Sequence, residues 1–140
     1  MRCLLLLALT TLSGAQACPW LNGATAEGIL GGPVQLKVNP TTCEFVRAQD
    51  RARYQLRIEV RPITSHNNFE SYLSHCGRHR TQLKGIGNEA FACQDDRGVL
   101  GRVRDQMFIV RISVPDHAMA LDVLEENARK IAEQVAGALF

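Results

Sequence analysis

The stretch GIGNEAFACQDDRGVLGRVRDQMFIVRISV, residues Gly85 to Val114, decides the fold. In it Phe108, Val110, Ile112 and Val114 alternate with Ile109, Arg111 and Ser113, the period-2 pattern of a strand with one buried face. This predicts a strand over Met107 to Val114. Val99 to Arg104 then pairs with it through Asp105-Gln106, because strands about two residues apart must be antiparallel neighbours. Glu89 to Cys93 adds a third short strand, joined to the second by the Asp- and Gly-containing turn Gln94 to Gly98. The unit is a three-stranded meander.

Working upstream, Tyr54, Leu56, Ile58 and Val60 alternate with Gln55, Arg57, Glu59 and Arg61, closed by Pro62, which predicts a second half-buried strand. Val34, Leu36 and Val38 alternate with Gln35 and Lys37, and the turn Asn39-Pro40-Thr41-Thr42 leads into a partner strand from Cys43 to Arg47. Ahead of that hairpin, Asn22 is a good N-cap and Gly31-Gly32 a stop for a short helix carrying Ala26, Ile29 and Leu30. Between the strand sets, Phe69, Tyr72, Leu73 and Cys76 fall at helical spacing before Gly77, and Arg78 to Lys84 reads as a polar, basic connection. Downstream, Asp116 after Pro115 reads as an N-cap, and Leu121, Leu124, Ala128, Ile131, Val135 and Leu139 form one apolar stripe. Glu125 with Arg129 and Glu126 with Lys130 have favourable i to i+4 spacing. The predicted class is α+β: an antiparallel sheet from two αβββ units, covered by a long C-terminal helix.

The 140-residue chain begins with Arg2, a compact apolar run to Leu12 and the small-x-small triplet Ala15-Gln16-Ala17. Residues 1–17 therefore read as a secretory signal, and residues 18–140 as a single domain. The apolar run is shorter than the roughly 20 residues a spanning helix needs, and no later segment approaches that length. Cleavage after Ala17 would make Cys18 the first mature residue, where bacterial lipoproteins carry their anchor. The missing Leu at position 15 weighs against lipidation and leaves a disulfide as the rival fate of Cys18. Removing those residues takes Arg2 and Cys3 from the 16 basic residues and five cysteines of the chain, leaving a net charge of about +1 and four cysteines. Near-neutral charge argues against nucleic acid, whose binding depends on neutralising many phosphates. An even cysteine count in an exported chain argues for two disulfides.

Cys18-Pro19-Trp20-Leu21-Asn22 opening a short helix, Cys43-Glu44-Phe45 after it, Gly85-Ile86-Gly87-Asn88-Glu89-Ala90, and the strand to Val114 together resemble small exported bacterial proteins. These are uncharacterised acidobacterial secreted proteins and, more distantly, actinobacterial lipoproteins whose domains share a Gly-x-Gly-Asp/Asn-x-Ala step before a hairpin. The resemblance covers most of the mature chain and implies an α+β sheet domain stabilised by disulfides. It brings no catalytic residues, and the chain departs from the lipoproteins in lacking their lipobox.

The four mature cysteines allow three pairings. Cys18 with Cys43 and Cys76 with Cys93 tie each short helix to the strands that follow it, one logic in both halves. His75, Cys76, His79 and Cys93 make a thinkable zinc set, opposed by oxidation in the export pathway and by Gly77, which breaks the helix that would align the histidines. No metal or other cofactor is expected. Gly85 to Ala90 fits G-x-G-x-x-A formally, but the dinucleotide motif needs a strand before it and a helix after it, so the glycines read as backbone freedom at a tight turn. Ser65-His66, Ser74-His75 and Asp116-His117 are only sequence neighbours, and no G-x-S-x-G elbow is present. Arg57, Arg61, Arg102, Arg104 and Arg111 would gather into a positive surface if the outer strand sets share one sheet. The expected function is an exported, non-enzymatic binding or interaction module of the cell envelope, its partner a protein or a small anionic ligand. The alternative is a small secreted hydrolase or metal-dependent enzyme using His75 and His79.

Overall fold

The computed structural model describes residues 16–47 and 53–140. The segment read as a signal peptide falls outside these residues except for Gln16 and Ala17, as does most of the polar loop before the third strand. Among these residues three helices and seven strands follow one another in the order α1 (Gly23–Leu30), β1 (Val34–Val38), β2 (Thr42–Arg47), β3 (Gln55–Pro62), α2 (Phe69–His75), β4 (Arg80–Leu83), β5 (Glu89–Cys93), β6 (Gly98–Val103), β7 (Gln106–Ser113) and α3 (Leu121–Leu139). All strands join one antiparallel sheet in the order β1-β2-β3-β7-β6-β5-β4. The α+β class with a long C-terminal helix on the sheet is therefore correct. Within it, the second unit has a fourth strand, β4, where the sequence suggests a polar connection.

The alternation read from sequence sorts the two faces. Leu56, Ile58 and Val60 of β3 lie beside Ile112, Val110 and Phe108 of β7 in register, and all six are buried. Onto this face α3 sets Leu124, Ala128, Ile131, Ala132, Val135 and Ala136, while α1 sets Ala26 and Leu30. Each large side chain so buried contributes about 1.5–3 kcal/mol. The C-terminal helix thus shares the covering with α1, because α3 lies over β6 and β7 and α1 over β1 to β3. On the opposite face α2 places Phe69, Leu73 and Cys76 over Cys93, Leu100 and Met107.

Local chemistry sets the helix ends. The side chain of Asn22 accepts a hydrogen bond from the Thr25 amide at 2.8 Å, and Gly31 closes α1 at φ 80°. The start of α3 departs from expectation. The Ala118 amide bonds to the Pro115 carbonyl at 3.0 Å and His117 has φ 63°, so Asp116 sits in a turn and the helix begins only at Leu121. Leu121, read as part of the buried stripe, is accordingly 60% exposed. On the wet side Arg129 pairs with Glu126 at 2.8 Å and with Glu133, while Lys130 stands 3.9 Å from Glu126. The hydrogen bond from Arg129 holds the Glu126 carboxyl below its ordinary range. The two-residue connection between β6 and β7 is Arg104-Asp105, one position earlier than the sequence suggests.

The Gly85 to Asn88 step is the backbone device expected of its glycines. Gly85 and Gly87 have φ of 79° and 59°, Ile86 is buried in the main core, and the Asn88 amide bonds to the Arg102 carbonyl at 2.8 Å. Strands β4 and β5 flank this step, so no helix N-terminus faces it. A Cβ at Gly87 would stand 2.5 Å from the Arg102 carbonyl oxygen. Gly87→Ala is expected to cost at least about 1–3 kcal/mol, combining left-handed backbone strain with that clash. Chemical denaturation checks it; a loss below 0.5 kcal/mol on the order of surface substitutions would contradict the contact.

Candidate functional site

Both cross-links join a short helix, or the turn leading into one, to the sheet. Cys18 and Cys43 are bonded with a Cα separation of 5.8 Å, and Cys76 and Cys93 with one of 4.9 Å, inside the range a disulfide requires. All four residues are buried. With Cys76 and Cys93 joined, the sulfurs of the thinkable zinc set are consumed. The two histidines of that set have separate partners: His75 contacts the Ser71 carbonyl within the last turn of α2, and His79 stands 3.6 Å from Asp95.

Because β3 adjoins β7, the register puts Arg57 and Arg61 of β3, Arg111 of β7 and Arg102 of β6 on the α2 side of the sheet. The structure brings these four together on one face. Arg104 belongs to the β6–β7 turn, with φ 54° and its amide donating to the Asn88 side chain at 2.5 Å, and so stands outside the strand rows. The face is a lattice of alternating sign and not a plain positive surface. Glu59 lies between Arg61, which it bonds, and Arg57 at 3.9 Å. Arg102 pairs with Glu89 at 3.2 Å, and Arg111 with Asp96 at 3.1 Å.

Helix α2 is only seven residues long and covers the β5–β6–β7 part of this face, leaving β3 open along its flank. Between helix and sheet runs a groove of about 390 Å³. Its floor is Glu59, Ile109 and Arg111; its wall is His66, Asn67, Ser71, Tyr72 and His75. The Asn68 side chain accepts from the Ser71 amide at 2.8 Å and so fixes the helix start beside the groove. Nδ1 of His75 lies 2.7 Å from the Ser71 carbonyl. A carbonyl only accepts, so Nδ1 carries the proton in this contact. The groove thus unites Arg111 and His75, both singled out from sequence, with Glu59, Ile109 and the loop residues His66 and Asn67. No local pattern announces that grouping, since it depends on which flank of β3 a short helix leaves bare. A second cavity, of about 280 Å³, lies on the other side of the sheet, with Val99, Leu121 and Ala128 in its lining and Arg97 and Glu125 as its charged residues.

Compared with family models, curated proteins and solved structures, the chain matches none of them. No helix among the described residues is long and apolar enough to cross a membrane.

Proposed function

We propose that this chain is an exported, disulfide-stabilised binding module of the bacterial cell envelope, non-enzymatic, with the groove beside α2 as its ligand site. The observation that carries the reading is the convergence of a guanidinium, a carboxylate, two imidazoles and a tyrosine on an apolar floor residue in a groove of small-molecule size. Two buried disulfides suit an oxidising compartment, the first 17 residues have the form of a secretory signal, and the resemblance to exported bacterial proteins points the same way. Buried cross-links on both sides of the α2 connection also favour binding by a preformed surface over one that must be ordered on contact.

The test uses the mature chain purified from an oxidising compartment and exposed to small-molecule extracts of bacterial envelopes. Amide resonances of Ile109, Arg111, Tyr72 and His75 are expected to shift in a saturable way, with Arg111→Gln weakening the response about tenfold or more. Stoichiometric zinc in the purified protein, or turnover in a hydrolase screen that His75→Ala abolishes, would instead establish the enzymatic alternative.

A further inference from the structure

We infer that the ligand of this groove is a small organic anion, a carboxylate or phosphate monoester on an apolar or aromatic body, its charged group held between Arg57 and Arg111. This rests on the reading of the groove as the binding site; Arg57 stands outside its lining and adjoins it, beside Arg111 in register and 3.9 Å from Glu59. Arg57 and Arg111 are direct cross-strand partners in the β3–β7 register and share the solvent-facing side of the sheet. Directly opposed side chains have Cβ atoms about 4.5–5.5 Å apart, and like charges in that relation destabilise a sheet. An anion bound beside both guanidiniums would offset the repulsion that Asp96 does not already relieve.

The carboxylates already nearby lie to the sides. Arg111 has its stem over β6, where a Cβ on Gly98 would come within 3.1 Å of Arg111 Cγ, and its head reaches Asp96 in the β5–β6 turn. It leans away from Arg57. Among the described residues Arg57 makes one ion pair, to Glu59 at 3.9 Å, too long for a hydrogen bond. Glu44, its cross-strand neighbour on β2, accepts from Gln55 at 2.6 Å and Arg53 at 3.0 Å through Oε1 and makes no ion pair with Arg57 among the described residues. Arg57 therefore keeps most of its five N–H donors for a ligand, and Arg111 those not given to Asp96. Both side chains are 48% exposed, so the site is reachable from solvent.

The remainder of the groove defines what the anion is attached to. Ile109, next but one to Arg111 on the same face, and Tyr72 of α2 are half-buried and give an apolar bed. Asn67, Ser71 and His75 give one wall its polar groups. A bare inorganic anion would use only the arginine end.

The experiment titrates the isotope-labelled mature protein with benzoate, phenyl phosphate, acetate, inorganic phosphate and benzyl alcohol, following backbone and arginine side-chain resonances. Benzoate or phenyl phosphate is expected to shift Arg57, Ile109, Tyr72 and Arg111 together and to bind about tenfold or more tightly than acetate or inorganic phosphate. Arg57→Gln and Arg111→Gln should each weaken that binding about tenfold, whereas Arg102→Gln, on the same face but opposite Glu89, should leave it unchanged. Stronger binding of phenyl phosphate than benzoate would identify the phosphate as the preferred head group, and the reverse the carboxylate. Equal binding of benzyl alcohol and benzoate in the groove would overturn the anionic class while leaving the groove as the site. If no probe shifts the groove residues, or if Arg57→Gln and Arg102→Gln act alike, the site itself is wrong.

Discussion

The Gly101→Ala substitution is expected to lower the unfolding free energy by about 1–3 kcal/mol in the wild-type chain and to cost nothing in a Phe108→Ala background. Gly101 and Phe108 are cross-strand partners on the main core face, and the Phe108 ring lies over the glycine, so that an added Cβ would stand 2.1 Å from the end of the ring. Phe108 is fully buried and has nowhere to retreat. Phe108→Ala alone should cost about 3–5 kcal/mol, the range for emptying an aromatic site in a close-packed interior. In the double variant the alanine methyl at position 101 enters the space the ring has left, so the penalties do not add. A double-mutant cycle by urea denaturation measures the coupling. Equal costs of Gly101→Ala in both backgrounds would show that the ring contact does not set the requirement for glycine.

Replacing Cys76 and Cys93 together by serine is expected to cost about 2–4 kcal/mol without changing the fold. The bond closes a loop with a sequence separation of 17 residues, and in the chain-entropy model such a loop contributes about 3 kcal/mol through the unfolded state. The helix it tethers is short, with Phe69 and Leu73 as its buried residues, so α2 is the element most exposed to its loss. Thermal unfolding with and without reductant separates the terms. Reductant should lower the wild-type midpoint and should shift the double variant only by the share of Cys18–Cys43. Peptide mapping without reduction gives the direct check, and a Cys43–Cys93 linkage there would contradict the joining of helix to sheet.

What could be read from the sequence was whatever one face of the sheet imposes on it. The strands β3 and β7 carry a buried face against a wet one, and their alternation placed them within a residue of where they lie. The cysteine pairing followed once each short helix had its own strand set. Strand β4 escaped because Arg80, Thr81 and Gln82 are exposed on an edge and only Leu83 meets the core, so no period-2 signal exists to find. The start of α3 is not legible because Pro115-Asp116 has the composition of a helix start, while the positive φ of His117 turns the chain away first. The arginines were found, but their arrangement was not, since Asp96 reaches Arg111 from a turn 15 residues away and Glu59 serves two neighbours at once.

The placing of the disulfides has a consequence for the order in which the chain folds. One cross-link lies before β3 and the other between α2 and β5, so neither spans the β3–β7 seam where the two halves of the sheet meet. An unfolded but oxidised chain is already shortened within each half, yet β3 must still find β7 across the intervening chain, of which the Cys76–Cys93 bond removes only a part. Contacts of such long sequence separation slow folding. Oxidation is therefore expected to deepen the native well far more than it speeds the docking of the halves, and a slow phase in refolding should report the seam in oxidised and reduced protein alike.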